Sequence, residues 1–292
     1  MTSGEQWAAE ELDALRADRY GPRAWTRFLR ASFRRAADVR RARPELARQA
    51  RAWSAVGLVS GVAASTAASR RSLAATRPGR FALWWLATAA MLEWHLGMVE
   101  GPGGGPRERL TAADALTLQR LWSVPLLAAQ GDPRRGSGPA FTALIASAAA
   151  SDALDGALAR RAGPSRLGRD LDKVADALVV GVAARAASRA GWLSPRAARL
   201  ALLRSALPVA YSAGSYFRTG RRPIVDSLGP GRLLAPALLG GLAAAPFSPR
   251  AGATLVSTAS VASLALGVMR PRARLGPVFS NRRSGTDDGG ET

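Results

Sequence analysis

Four aspartates carry the chemistry that this sequence is equipped to perform. From residue 152 to residue 176 the chain reads DALDGALARRAGPSRLGRDLDKVAD. Asp152 and Asp155 are three residues apart and Asp172 and Asp176 four apart, so on helices each pair shares one face. The intervening Gly163-Pro164-Ser165 is a turn signal, which predicts two antiparallel helices whose four carboxylates meet near one surface. Clustered carboxylates repel one another and persist only when cations neutralise them. An all-oxygen donor set suits Mg²⁺ or Mn²⁺ rather than zinc. Two such ions, about 3.5–4 Å apart, clamp a diphosphate and stabilise both the attacking and the leaving oxygen. The expected chemistry is phosphoryl transfer, with two divalent cations, Mg²⁺ or Mn²⁺, as cofactors.

Composition indicates what holds those helices. The chain has 292 residues, 41 basic against 21 acidic side chains, a net charge of +20, no cysteine, and His95 as its one histidine. Lys173 is the sole lysine. Disulfides, thiolate zinc sites, cysteine nucleophiles and multi-histidine metal sites are excluded. The positive charge admits either nucleic acid or anionic lipid headgroups as partner. Its distribution decides for lipid. Uncharged stretches recur at 52–69, 81–92, 136–151, 205–217, 233–249 and 251–269, and several approach the roughly 20 apolar residues of a bilayer-spanning helix. A mean hydropathy of −0.01 is low for a membrane protein because the charged start and polar end dilute it. The reading is an all-α integral membrane protein that does not bind nucleic acid. A charged side chain at the membrane centre costs about 2.5–3.5 kcal/mol, so aspartates inside such spans mark function.

Four regions follow along the chain. Residues 1–51, with 12 Arg and 7 acids around Trp7, Trp25, Phe28 and Phe33, read as a basic amphipathic arm, cytosolic or interfacial. Residues 52–106 read as an apolar hairpin ending in the helix-breaking GPGGGP of 101–106, taken as the boundary of the core. Trp84, Trp85 and Trp94 fit an interfacial belt, and His95 is read as interfacial rather than catalytic. The core, 107–270, holds six expected spans near 114–131, 138–160, 169–189, 196–217, 232–248 and 251–269; a polar tail, 271–292, is expected to be disordered.

The pattern DxxDGxxAR followed by GxxxDxxxD resembles the signature of the CDP-alcohol phosphotransferases, integral membrane enzymes of phospholipid synthesis. Asp152, Asp155, Gly156, Ala159, Arg160, Gly168, Asp172 and Asp176 fill its eight specified positions. Two departures stand out: seven residues separate Arg160 from Gly168 where the family usually has eight, and Lys173 stands where many members have Pro or a small residue. Leu116 to Arg120 followed by Pro125 is similar to the family's first core helix, with Asp114 in place of the usual Asn, and Gly231-Arg232 resembles its basic position in the fifth span.

The resemblance implies a six-helix core, homodimeric, with its polar site at the cytoplasmic surface. It implies that Asp152, Asp155 and Asp172 hold the two ions, and that Asp176 shares one of them and acts as general base. Gly156, Ala159, Arg160 and Gly168 are the implied nucleotide contacts. The implied partners are a CDP-linked lipid donor, with CDP-diacylglycerol expected, and a small alcohol acceptor. The residues themselves leave two alternatives open. Like charge raises a carboxylate pKa and metal lowers it, so spacing does not say which aspartate is the base; and Gly156 and Gly168 serve either close nucleotide approach or tight helix packing. Arg218, Arg221, Arg222 and Arg232 read either as an acceptor-phosphate site or as plain membrane anchoring.

Orientation has an internal check. Segments 160–169, 218–232 and 270–283 hold 4, 4 and 5 Arg, against 6 on the opposite loops, which predicts a multi-pass cell-membrane protein with its site facing the cytoplasm. Two other readings compete: an intramembrane prenyltransferase of the UbiA type, whose Asp motifs lie on well-separated helices, and a catalytically degenerate membrane scaffold.

Overall fold

A computed structural model describes residues 3–70, 77–101, 104–163, 165–220, 223–224, 231–268 and 274–275; the side chains of 159–162, 223–224, 231–232, 267–268 and 274–275 are outside that description. The expected tail, 271–292, falls outside the described residues apart from 274–275. Among the described residues the chain is all-helical, with ten α helices and one two-residue pairing of β1 (Pro223–Ile224) with β2 (Arg274–Leu275). Helices α1 (Gly4–Ala17) and α2 (Pro22–Ala42) make the arm; α3 (Pro44–Arg70) and α4 (Pro78–His95) pack against each other. Then come α5 (Ala112–Ala129), α6 (Gly138–Ala162), α7 (Arg166–Arg189), α8 (Pro195–Thr219), α9 (Gly231–Ala244) and α10 (Pro249–Val268).

Local chemistry sets these boundaries. Ser137, Ser165 and Ser194 each accept the N–H three residues on, and Thr111 and Asp114 form a reciprocal capping box at the start of α5. Pro139 and Pro195 sit in first turns, where a missing N–H leaves no bond unmade. Gly163 and Gly220 end α6 and α8 at φ 73° and 67°, a region that disfavours any Cβ.

Small residues bring α3 and α4 together. A Cβ built on Gly57 would lie 2.2 Å from the Trp85 ring, and one on Gly61 1.8 Å from Phe81, so the two rings fill the grooves that the glycines leave. Trp85 Nε1 donates to Ser54 O at 2.7 Å, and Trp84 Nε1 to Leu121 O at 2.9 Å. These two tryptophans therefore tie α4 to α3 and α5. Glu93 pairs with Arg51 at 3.4 Å and Arg40 at 3.7 Å, fastening α4 to α3 and to α2 of the arm.

The buried core does not stop at 101–106. Val39, Leu46, Phe81, Leu92 and Val99 from the first hundred residues share one hydrophobic cluster with Leu118, Leu121, Leu167 and Leu171 of α5 and α7. A second cluster, including Val124, Phe141, Ile145, Val180, Leu238 and Val256, joins α5–α7 to α9 and α10. Among the described residues, Pro44–Arg70 and Gly138–Leu158 are long and apolar enough to cross a membrane, and Leu233–Ala244 is a shorter apolar helix. Helices α5 and α7 are diluted by charged residues, Asp114 and Arg120 on one and Asp170, Asp172, Lys173 and Asp176 on the other.

Candidate active site

Helix α5 packs along both α6 and α7, and its third turn delivers Arg120 to the carboxylates that those two helices carry. Arg120 is 1% exposed and forms ion pairs with all four aspartates. Nη1 meets Asp152 at 3.2 Å and also Asp176; Nη2 meets Asp155 at 2.7 Å and also Asp172. Thr117, one helical turn earlier, donates from Oγ1 to Asp155 at 3.1 Å. The expected convergence of 152, 155, 172 and 176 is thus present, and their exposures show its depth. The Asp155 side chain is 13% exposed, against 34% for Asp172, 48% for Asp176 and 52% for Asp152. The guanidinium and Asp155 form a floor, and the other three carboxylates open outward above it.

A buried arginine within an apolar helix is tolerable only beside acids. Here the compensation overshoots: four carboxylates against one guanidinium leave three negative charges. Carboxylate oxygens of Asp152, Asp172 and Asp176 lie within 4.8 Å of one another, close enough for one ion to touch all three. Hard oxygen donors with excess negative charge fit divalent cations. Arg120 lies inside an expected apolar span, and that position is the signal in the sequence that acids must meet it.

At Gly168 the geometry shows tight packing. A Cβ there would lie 2.5 Å from Asp114 Oδ1 and 3.0 Å from Ser165 Oγ. Asp114, 2% exposed, accepts from Ser165 Oγ at 2.6 Å and from Thr111 N at 2.7 Å, so the absent side chain at 168 is what lets α7 begin against α5. Gly168→Ala should cost about 1–3 kcal/mol of stability, as overpacking does. Adding Asp114→Ala should recover part of it, so a thermal double-mutant cycle should show coupling. A nucleotide role at 168 alone would instead raise the donor KM and leave the melting temperature unmoved.

The remaining candidates are distributed as follows. Gly156 is half-buried on α6 directly after Asp155. Ala159 and Arg160 continue that helix, with side chains outside the described residues. Arg218 is exposed in the last turn of α8, and that end of α8 reaches the start of α7, where Arg166 Nη2 donates to Tyr216 Oη at 3.5 Å. Arg221 and Arg222 lie outside the described residues, as does the Arg232 side chain. Arg204, inside α8, donates from Nε to Ser263 Oγ at 3.4 Å and is attracted electrostatically by Asp176. His95 donates from Nδ1 to Met91 O, 2.7 Å away within its own helix, and lies edge-on to Trp94.

An all-helical frame that converges four carboxylates on one buried guanidinium presents an oxygen-donor site of the kind that suits a divalent cation. The comparison with protein families makes this specific. Residues 110–269, more than half of the chain, match the model of the CDP-alcohol phosphatidyltransferase family, and the protein belongs to that family. The family is membrane-associated, uses divalent cations, and transfers phosphate groups from a CDP-alcohol donor to an alcohol acceptor. No curated protein and no solved structure matches the chain. Membership removes the prenyltransferase alternative, since the match covers both Asp pairs and all six helices from α5 to α10.

Proposed function

We propose that this protein is a multi-pass membrane phosphotransferase that moves a phosphatidyl group from CDP-diacylglycerol to a small alcohol, releasing CMP, in phospholipid biosynthesis. The observation that carries the reading is the cluster at Arg120, whose four aspartates exceed their one paired cation by three charges. Asp152, Asp155, Asp172 and Asp176 are the proposed ligands of two ions, Mg²⁺ or Mn²⁺, which when bound neutralise the donor diphosphate and polarise the phosphorus under attack.

The rest of the reaction falls to the chain's own groups. The acceptor oxygen bonds to the β-phosphorus of the donor, the bridging oxygen departs with CMP, and Asp176 takes the hydroxyl proton. Asp176 suits that role because its carboxylate is half-exposed while Asp155 is committed to Thr117 and Arg120. Arg120 holds the carboxylates in place from below. Gly156, Ala159, Arg160 and Gly168 are proposed to meet the nucleotide, and Arg218, at the end of α8 that reaches the start of α7, is proposed with Arg221, Arg222 and Arg232 to meet a phosphate-bearing acceptor or the membrane surface. Orientation supplies much of the rate in such transfers.

The arm supports placing that end at the cytoplasmic membrane surface. On α2, Arg23, Arg27, Arg30 and Arg34 line one groove, and exposed Trp25, Leu29 and Phe33 form the neighbouring stripe, as on a helix that lies among anionic headgroups. A homodimer with one site per protomer completes the reading. The test is a radiolabelled CDP-diacylglycerol assay of the purified, lipid-reconstituted protein with Mg²⁺ or Mn²⁺ across a panel of acceptor alcohols. Metal-dependent CMP release with one acceptor class is the expected result. Absence of product with every acceptor would favour a scaffold instead.

A further inference from the structure

The turn between α6 and α7 decides how the four aspartates face one another. It consists of three residues, 163–165, and a slip of α7 by one residue would rotate Asp172 by about 100° and move it about 1.5 Å along the axis. The core side holds this turn through the link from Ser165 to Asp114. Residues upstream of the matched family domain hold it from the other side. Arg107 Nη2 donates to Gly163 O at 3.1 Å, and Arg166 N donates to Glu100 O at 2.9 Å. The Glu100 carboxylate faces the Arg166 guanidinium at 3.7 Å, with side-chain exposures of 6% and 5%.

These tethers come from a braced segment. Glu100 bridges to Pro106, Gly101 N donates to Gly105 O at 2.8 Å, and Arg107 N donates to Val99 O at 3.0 Å. Arg43, at the end of α2, donates to Val99 O at 3.1 Å and Arg107 O at 3.3 Å. The other Glu100 oxygen accepts from Gly4 N, the first residue of α1. α1 in turn grips the end of α8, where Arg16 Nη1 and Tyr20 Oη, just beyond the helix, both donate to Phe217 O, at 3.3 and 2.6 Å.

We infer that Glu100 and Arg107 are positioning residues for the phosphotransfer site: from upstream of the matched family domain they fix the α6–α7 turn and thereby the spacing between Asp152/Asp155 and Asp172/Asp176. This rests on the proposal that those aspartates hold the cations. It also gives the Gly-rich segment a purpose, since a turn one residue shorter than usual in the family is fixed from outside the family domain.

The variants are Arg107→Met, which removes the tether to Gly163 from a half-buried side chain, and Glu100→Asp, which keeps the charge and draws the carboxylate back by one methylene. Mn²⁺ affinity of the full-length protein, measured by electron paramagnetic resonance, is the primary readout, with kcat and KM second. Each variant should weaken Mn²⁺ binding about tenfold, as loss of an outer-shell support does. The two changes together should add less than their product, because both act through one turn. Arg107→Lys, which keeps a donor, should restore most of the affinity. Unchanged Mn²⁺ affinity in Arg107→Met and Glu100→Asp, beside its loss in Asp172→Asn, would overturn this inference alone. Failure of the parent protein to bind Mn²⁺ would overturn the cation reading and this inference with it. If Glu100→Asp does not fold, Arg107→Met decides.

Discussion

Asp176→Asn is expected to lower CMP release by about a thousandfold, within the range that loss of a general base produces, while leaving the protein folded. Asparagine matches aspartate in shape and keeps a carbonyl oxygen for Arg120 Nη1, so the contact that orients the side chain survives. What it loses is the negative charge and the ability to take a proton. The sign of the stability change is part of the prediction. With four aspartates and one arginine the cluster has a formal excess of three negative charges, and the substitution removes one acid from it, so in the presence of a chelator the variant should melt no lower than the parent. Gain of stability with loss of activity is the usual trade at a site kept under strain for function. Turnover of donor and melting temperature, measured on the same reconstituted sample, check both halves. Unchanged turnover would remove Asp176 from the role of base and leave the proton to one of the other three aspartates.

The aspartate cluster was legible in the sequence because spacings of three and four fix a shared helical face, and Gly163 and Ser165 fix a reversal between the two faces. The helix starts were legible too, since Ser165, Ser194 and the Thr111–Asp114 box cap helices by local hydrogen bonds that need no knowledge of the fold. Arg120 was not. It lies 32 residues from Asp152 and 56 from Asp176, and helical periodicity says which face a residue occupies without saying which helix covers that face. The same limit hid the extension. GPGGGP reads as a break by composition, yet composition carries no information about Arg107 reaching Gly163 across 56 residues. The partners of Trp84 and Trp85 were hidden for a related reason. An aromatic in an apolar span suits the membrane interface and a helix groove equally well, and Gly57 and the Leu121 carbonyl, which meet Trp85 and Trp84, are not marked by the local pattern.

Arg120→Met should have the largest effect on stability of any single change at the site, and the effect should depend on metal. Methionine fills similar volume and suits an apolar helix, so the packing loss is small. The electrostatic loss is not. The four carboxylates keep their mutual repulsion and lose the one cation that all of them touch. Removing one member of a buried ion pair costs about 3–5 kcal/mol, and the lower end applies here because three of the four acids are a third or more exposed. Divalent cations should reverse the loss, since a ligand that binds only the folded state at a hundred times its dissociation constant adds about 2.7 kcal/mol. The Mn²⁺-induced rise in melting temperature should therefore be larger in the variant than in the parent, where guanidinium and metal compete for the same oxygens. Arg120→Lys should fall between the two, because one ammonium presents a single point of charge where the guanidinium fork meets two carboxylates with each terminal nitrogen. Melting curves in chelator and in Mn²⁺ for the three proteins separate the contributions. An equal Mn²⁺ shift in all three would mean that the ions bind away from Arg120, and that the carboxylates paired with it are structural.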